Sequence, residues 1–199
     1  MKELLKDKRV GIAGAGGLGS NCAVALARCG VGRLVVADFD VVSKPNLDRQ
    51  HYYLDQVGMK KVEALRENIL RIDPEIEVTA RAVKINAQNT VEVFKDCQVI
   101  VEAFDEAVMK KMLIETVLAE MPEKWLVAAS GLAGTGSNNQ IKTRRFGRLF
   151  LCGDGHSEVS SKLPPLAPRV GIVACMQANQ VLRILLALRQ KKSVQEVGN

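Results

Sequence analysis

The sequence predicts an α/β fold: a Rossmann-like, mostly parallel sheet with helices on both faces and an antiparallel hairpin addition. Short apolar runs alternate with helix-forming segments as far as Ser130, which is typical of βα repeats. A glycine-rich turn follows the first apolar run, and two strand-like runs flank Phe146-Gly147 with no room for a helix between them. A length of 199 residues fits a single domain, 1–199, since domains average about 150 residues.

The elements follow in a regular order. The strand Arg9–Ala13, the helix Ser20–Cys29 and the strand Arg33–Asp38 form a βαβ unit. Apolar spacing predicts an amphipathic helix over Val57–Ile72, which Asp73-Pro74 ends. Further strands are expected at Ile76–Val83, Cys97–Phe104 and Trp125–Ser130, and helices at Ala87–Phe94 and Glu106–Glu120. The hairpin strands Gln140–Arg145 and Arg148–Cys152, a loop over Gly153–Pro168 and an apolar helix over Val170–Arg189 complete the chain.

Composition and charge exclude several classes of protein. Hydrophobic residues make up 47% and charged residues 25%, which excludes a disordered chain, collagen and a coiled-coil rod. The net charge of +6 favours an anionic partner. No basic run exceeds two residues, so we do not expect nucleic acid as the partner. No apolar run approaches the roughly 20 residues of a membrane span, and no signal peptide is evident, so we expect a cytoplasmic protein without membrane association.

A glycine-rich loop, Gly14-Ala15-Gly16-Gly17-Leu18-Gly19, joins the first predicted strand to the next helix. The pattern G-x-G-x-x-G in this position is typical of nucleotide binding, because glycines let a phosphate approach the backbone N–H groups at a helix start. Asp38 ends the following strand, where an acidic side chain can accept hydrogen bonds from ribose hydroxyls. We therefore predict that Gly14, Gly16, Gly17, Gly19 and Asp38 bind a nucleotide. The loop by itself leaves both ATP and NAD open.

Polar side chains are concentrated between Asp38 and Gln50, at the edge where open α/β sheets bind ligands. Arginine and lysine neutralise polyphosphate and aspartate can hold Mg²⁺, so this set favours ATP. A nicotinamide-linked oxidoreductase usually needs an acid or base beside its cofactor, and neither His51 nor His156 lies in a recognisable catalytic context. The stretch contains Asp38, Asp40, Asn46, Arg49 and Gln50; Lys61 comes near the start of the next helix, and Asp105 ends a strand of the same sheet, where it can also cap a helix.

These residues resemble the ThiF/MoeB adenylyltransferases, bacterial relatives of the ubiquitin-activating enzymes. The resemblance lies in the glycine loop, the pattern D-x-D-x-V-x-x-x-N-L-x-R-Q over 38–50, Val57-Gly58 with Lys61, Asp105, and the segment 171–178. It spans about residues 9–187, and the compact length is most similar to the short ThiF group of thiamine biosynthesis.

The resemblance implies a role for each matching residue. Asp38 would hold the ATP ribose, Gly16 and Gly17 would admit the phosphates, and Asp105 would bind Mg²⁺. Asn46, Arg49 and Gln50 would contact the phosphates, and Lys61 would stabilise charge near the α-phosphate. Catalytic roles thus fall to Arg49, Lys61 and Asp105.

The resemblance also implies the partner, a small ubiquitin-like sulfur-carrier protein ending in Gly-Gly. Its terminal carboxylate would attack the α-phosphorus of ATP and release pyrophosphate. The apolar C-terminal helix suggests a homodimer face. Three alternatives stay open: an NAD(P)-linked oxidoreductase, a nucleotide-binding module of the same family without catalysis, and an enzyme that activates a carboxylate on modified tRNA.

The cysteines distinguish this chain from many members, which hold zinc with two CxxC pairs. The chain has five cysteines and no CxxC pair, so we expect a reduced protein without zinc. The hairpin and loop after residue 140 would then be held by packing alone. Cys152, just before the long loop, is the better candidate for sulfur transfer, and we expect the others in the core: Cys22, Cys29, Cys97 and Cys175.

Overall fold

Seven strands form one sheet in the computed structural model of the protein, which describes residues 2–196 and, among side chains, residues 2–188. The strands are β1 (Arg9–Ala13), β2 (Arg33–Ala37), β3 (Glu77–Arg81), β4 (Val99–Glu102), β5 (Trp125–Ala129), β6 (Lys142–Phe146) and β7 (Leu149–Gly153). Their order across the sheet is β3-β2-β1-β4-β5-β7-β6. Every neighbouring pair is parallel except the β6–β7 hairpin, which confirms the predicted sheet.

Helices cover both faces of this sheet, as predicted. They are α1 (Lys2–Leu5), α2 (Gly17–Arg28), α3 (Lys61–Leu70), α4 (Ala87–Phe94), α5 (Ala107–Glu120) and α6 (Ala167–Glu196). Helices α2, α3 and α6 share one apolar core, which includes Leu26, Leu65 and Leu185. Helices α4 and α5 share the other, which includes Phe94 and Leu113. Burial of apolar surface on both faces explains why the strands are almost continuously apolar.

Several element ends differ from the predicted ones. Helix α2 begins at Gly17 instead of Ser20, so the second half of the glycine loop is already helical. Helix α3 begins at Lys61 instead of Val57. Gly58 has φ +93°, which is outside the helical range, so the helix cannot extend back through it. A 3-10 turn at Leu54–Gln56 precedes Val57.

Helix α6 owes its apolar character to burial. Its segment Ala167–Leu188 is long and apolar enough to cross a membrane by length and composition alone, and half of the most apolar stretch is buried within the fold. The helix packs against α2 and β5, with Val173, Val181 and Leu185 in the core. This packing accounts for the composition without a second copy of the chain, so the homodimer stays a prediction.

The loop between β7 and α6 is held by polar contacts, so the expectation that it depends on packing alone was wrong. Asp154 and Arg169 form a buried ion pair, with Nη2 and Oδ2 2.6 Å apart. Ser157 donates to the same carboxylate through both its backbone N–H and its hydroxyl. These contacts tie the loop to the first turn of α6.

Candidate functional site

Two adjoining clefts open at the carboxyl ends of the parallel strands. The chain runs from β1 through β2 to β3 on one side and resumes at β4 on the other, so the clefts lie at the switch in strand order where open α/β sheets bind ligands. The first cleft is lined by Gly14, Gly16, residues 37–40, Gln50, Lys61, residues 83–85, residues 103–106 and Met109. The second cleft is lined by Gly17, Leu18, Arg49, residues 103–107, Lys110, residues 129–132, residues 157–159, Pro165 and Val170. Residues 103–106 border both clefts, so the two are continuous.

The glycines of the loop divide into two that the fold requires and two that face the clefts. Gly14 has φ +97°, and a side chain there would lie 2.8 Å from the Ala103 carbonyl oxygen. A side chain at Gly19 would overlap the carbonyl of Gly14. At Gly16 the nearest atom to an added Cβ is 3.8 Å away, on Gln50, and Gly17 borders the second cleft. Gly16 is therefore the position with free space for a ligand, whereas an added Cβ at Gly17 would lie 3.0 Å from Val170 Cγ1.

Asp38 fixes the glycine loop to the end of β2. Its Oδ2 accepts a hydrogen bond from the Ala15 N–H at 2.6 Å, and its Oδ1 accepts one from the Asp40 N–H at 2.8 Å. A carboxylate offers about four acceptor positions, so two remain for a ligand. Asp38 borders the first cleft, which is compatible with the ribose role.

Lys61 lies in the first cleft and is paired with Asp40. Its Nζ is 2.7 Å from Asp40 Oδ2; the lysine side chain is 8% exposed and the aspartate 48%. The buried Tyr52 hydroxyl donates to the carbonyls of Ala15 and Lys61, which joins α3 to the glycine loop. Burial raises the pKa of that hydroxyl well above its usual range, so it stays protonated as a donor. The neighbouring Lys60 is exposed and borders neither cleft, which distinguishes the two lysines.

The other predicted phosphate ligands have separate positions. Gln50 is buried in the first cleft, and its Oε1 has no hydrogen-bond partner among the described residues. Arg49 borders the second cleft, with Nη1 2.7 Å from Asp48 Oδ1. Asn46 borders neither cleft; its Oδ1 accepts from the Ser43 N–H and closes the 3-10 turn Lys44–Asp48. The structure thus does not place Asn46 at the site.

Asp105 borders both clefts in the loop between β4 and α5. It is exposed, and no described side chain pairs with it. The described residues contain no group of three or more His, Cys, Asp or Glu side chains that would hold a metal without other ligands. Mg²⁺ usually binds through one or two carboxylates together with substrate phosphates, and an unpaired Asp105 beside a phosphate site fits that mode.

A buried carboxylate beneath the second cleft was not predicted. Glu102 is fully buried at the end of β4, and both of its oxygens lie 3.0 Å from Lys110 Nζ. Burial raises the pKa of Glu102, against the opposing effect of Lys110. Its Oε1 also accepts from the Phe104 N–H at 2.7 Å, so this group shapes the turn that carries Asp105. A single acidic residue inside the apolar run Val99–Ala103 was the signal available in the sequence.

An apolar wall at the far end of the first cleft was also not predicted. Ile85 is buried, Val83 and Met109 are half-buried, and Phe39 is exposed. Lys84 Nζ lies 5.3 Å from the centre of the Phe39 ring. Flat heteroaromatic groups bind to such apolar surfaces with a few polar groups at the rim.

The cysteines agree with the prediction in part, since Cys22 and Cys97 lie in the core as expected. Cys22, Cys97 and Cys152 are buried, Cys29 is half-buried and Cys175 is exposed. The expectation that Cys175 lies in the core was therefore wrong, and Cys152, the candidate for sulfur transfer, is itself buried. Burial raises the pKa of the Cys152 thiol, which opposes formation of a reactive thiolate.

Comparison with known proteins identifies the family. Residues 1–198 match the ThiF family. The chain belongs to that family. This confirms the resemblance found in the sequence and favours a nucleotide-binding glycine loop of the ThiF kind over one of a nicotinamide-linked enzyme.

Among ThiF relatives, the chain is similar to "Adenylyltransferase and sulfurtransferase UBA4" of Saccharomyces cerevisiae, with 30% identity over 196 residues. The match covers 92% of this chain and 43% of UBA4, so the chain spans less than half of that relative. Among solved structures it resembles the Escherichia coli tRNA N6-threonylcarbamoyladenosine dehydratase TcdA in complex with ATP, with TM-score 0.86 and 23% identity over 96% of this chain and 90% of that one. It also resembles E. coli MccB with ATP, with TM-score 0.70 and 22% identity over 92% of this chain and 57% of MccB. At these identities the two structures support the fold.

Proposed function

We propose that this ThiF-family protein catalyses ATP-dependent adenylation of a carboxylate, and that the carboxylate is the C-terminal Gly-Gly of a small ubiquitin-like sulfur carrier, for thiamine biosynthesis. The observation that carries the proposal is the continuity of the two clefts. A nucleotide in the first cleft would extend its phosphates past Gly16 toward Asp105 and Arg49, where the second cleft begins. The relative UBA4, which is named an adenylyltransferase, supports the same chemistry.

The first cleft suits ATP along its length. The apolar wall of Val83, Ile85 and Met109 would take the adenine, and Asp38 the ribose hydroxyls. The backbone at Gly16, the buried Lys61 and the unpaired Gln50 oxygen lie where phosphates would follow. Gln50 would present its amide group to the phosphates, with the assignment of its oxygen and nitrogen set by the ligand.

The reaction requires positioning and charge stabilisation more than proton transfer. The carboxylate attacks the α-phosphorus, an acyl–phosphate bond forms, and the bond to the β-phosphate oxygen breaks to release pyrophosphate. The nucleophile is already an anion, so no general base is needed. Arg49 and Lys61 would hold the two anionic reactants together and bear the charge that develops on the α-phosphate. Mg²⁺, held by Asp105 and the phosphates, would supply further charge neutralisation.

The second cleft has room for an extended chain end. Small residues border it: Gly17, Ala103, Ala107, Ala129, Ser130, Gly131 and Ser157. A tail that ends in two glycines would fit among them. The Gly-Gly terminus itself is proposed from the resemblance to the ThiF/MoeB adenylyltransferases.

ATP–pyrophosphate exchange with Mg²⁺ tests the proposal, with and without a small carrier protein ending in Gly-Gly. We expect exchange that depends on the carrier, that Arg49→Ala and Asp105→Ala abolish, and that Lys44→Ala leaves unchanged. Lys44 is exposed in the same stretch and borders neither cleft. Exchange with carboxylate-modified tRNA in place of the carrier would redirect the proposal to tRNA. ATP binding without any exchange would indicate a binding module.

A further inference from the structure

A buried ion pair lies outside both clefts, between the end of the hairpin and the start of α6. Asp154 follows β7, and Arg169 lies in the first turn of α6. The Asp154 side chain is 1% exposed and the Arg169 side chain 5%. Neither group can reach a ligand in a cleft, so any effect of the pair on function must act through the residues that it holds.

The Asp154 carboxylate holds two segments of chain together. Its Oδ1 accepts from the N–H groups of His156 and Ser157, at 2.9 and 2.8 Å, and its Oδ2 accepts from the Ser157 hydroxyl at 2.7 Å. That hydroxyl oxygen in turn accepts from the Ala133 N–H at 3.1 Å. A single carboxylate thereby fixes the loop after β7 and, through Ser157, the segment after β5.

These two segments form the walls of the second cleft. Residues 130–132 and residues 157–159 both border it. The backbone reinforces the join, because the Asp154 N–H donates to the Gly131 carbonyl and the Gly155 N–H to the Ser130 carbonyl, each at 3.0 Å. Gly131 must lack a side chain here, since an added Cβ would collide with the Asp154 carboxylate.

Arg169 connects the same walls to α6. Its Nη1 donates to the Gly136 carbonyl, and the next residue, Val170, borders the second cleft. None of the residues that the pair contacts borders the first cleft. The pair thus holds residues of the second cleft and none of the first. An experiment that measures binding in each cleft can detect this difference.

We propose that Asp154 and Arg169 are positioning residues that hold the entrance of the second cleft in the shape that admits the acceptor carboxylate. The proposal rests on the proposed function, in which that cleft takes the acceptor. Misplacement of a substrate by about 1 Å can cost about 100-fold in rate, so a small movement of the walls is enough to matter.

The test compares Asp154→Asn and Arg169→Lys with Leu5→Ala. Asp154→Asn removes the charge and keeps one acceptor oxygen, and Arg169→Lys keeps the charge and loses the two-sided contact. Leu5 is fully buried near the amino ends of β1 and β2, so Leu5→Ala weakens the fold at the opposite end of the sheet. The readouts are ATP affinity by calorimetry, acceptor KM by pyrophosphate exchange, and hydrogen–deuterium exchange of residues 130–136 and 154–160.

For Asp154→Asn we expect acceptor KM to rise by about 10- to 100-fold. ATP affinity should stay within about twofold, because the sites do not share contacts. Deuterium uptake should rise more in the two wall segments than in the glycine loop. Arg169→Lys should give a smaller shift in the same direction, and Leu5→Ala should leave acceptor KM unchanged.

Equal losses of ATP and acceptor affinity, or a rise in deuterium uptake that is no greater in the two wall segments than in the rest of the sheet, would show that the pair only stabilises the fold. Unchanged acceptor KM together with unchanged deuterium uptake would also overturn the proposal. If Asp154→Asn does not fold, Arg169→Lys decides between these outcomes. A wild-type protein that binds ATP and activates no acceptor would refute the proposed function, and deuterium exchange would still decide whether the pair holds the walls.

Discussion

Gly16 is the glycine-loop position where the fold accepts a side chain and the proposed phosphate site does not. Its φ is −78°, a value open to any residue, and an added Cβ would meet nothing closer than Gln50 Nε2 at 3.8 Å. Gly14 and Gly19 differ, because a side chain at either would press on backbone atoms. We therefore predict that Gly16→Ala folds normally and loses nucleotide affinity.

Gly16→Ala should have a small effect on stability and a large one on ATP affinity. Alanine at a compatible glycine position stabilises a protein by about 0.4–1 kcal/mol, because the unfolded chain loses freedom. Gly16 is also the N-cap of α2, where alanine is less favourable than glycine, so the two contributions oppose each other and Tm should stay within about 4 °C of the wild type. A methyl group at Gly16 would keep a phosphate from approaching the backbone and would remove a charge-assisted hydrogen bond, at a cost of about 1.5–3 kcal/mol. ATP binding should weaken by about 10- to 100-fold.

Calorimetric titration with ATP and Mg²⁺, alongside thermal unfolding, measures both effects of Gly16→Ala. Gly171→Ala is the matched control, because Gly171 lies in α6, an added Cβ there has no neighbour within 4 Å, and it borders neither cleft. It should raise Tm and leave ATP affinity unchanged. Unchanged ATP affinity in Gly16→Ala would refute a phosphate at this loop, and a fall in Tm of more than about 4 °C would refute the account of its free space.

Three further predictions concern buried and exposed groups. With a maleimide and mass spectrometry, Cys175 should react in the native protein and Cys152 only after unfolding, since Cys152 is buried. Asp154→Asn should lower the free energy of unfolding by about 3–5 kcal/mol at pH 7 in denaturant titrations. Hydrogen bonds and Arg169 outweigh the effect of burial and hold the pKa of Asp154 well below its usual 3.8, so this deficit should stay constant above about pH 4 and shrink as pH falls below it. In Lys110→Met, Glu102 keeps a raised pKa and loses its counter-ion. Ionisation of Glu102 as the pH rises from 5 to 8 should therefore lower the Tm of this variant more than the Tm of the wild type.

The sequence allowed the position of the site to be predicted because parallel strands bring their carboxyl ends to one edge. The glycine loop, Asp38 and Asp105 each follow a strand, so the order of the elements was enough to predict that they lie close together. Lys61 required more, since its burial depends on the turn at Gly58 that delays the start of α3. The family pattern, rather than helical spacing, identified Lys61 instead of Lys60.

Side-chain partners within loops could not be predicted in the same way. Asn46 belongs to the family pattern, yet its amide oxygen closes a local turn, and this choice depends on a single rotamer. The pair of Asp154 and Arg169 joins residues across a loop without periodicity. Cys175 was predictable in principle, because Asn179 and Arg183 follow it at helical spacing and mark an exposed face of α6. The apolar composition of the helix outweighed that signal in the prediction.

Lys61 in the first cleft and Arg49 at the border of the second each pair with an aspartate that can move. Lys61 is 8% exposed and held in place, whereas its partner Asp40 is 48% exposed. Asp48, the partner of Arg49, is 67% exposed. When an anionic ligand arrives, each aspartate can turn into water while the cation stays, so ligand phosphate replaces carboxylate without an unpaired buried charge at any stage.

The cations behind the second cleft have counter-ions that cannot leave. Glu102, the partner of Lys110, is fully buried, and Asp154, the partner of Arg169, is 1% exposed. To separate either pair would strand a carboxylate away from water, at a cost of several kcal/mol. Lys110 and Arg169 are therefore fixed to the scaffold, whereas Arg49 and Lys61, like the exposed Lys84 of the first cleft, are available to a substrate. Exposure of the counter-ion, more than exposure of the cation, separates residues that bind from residues that position.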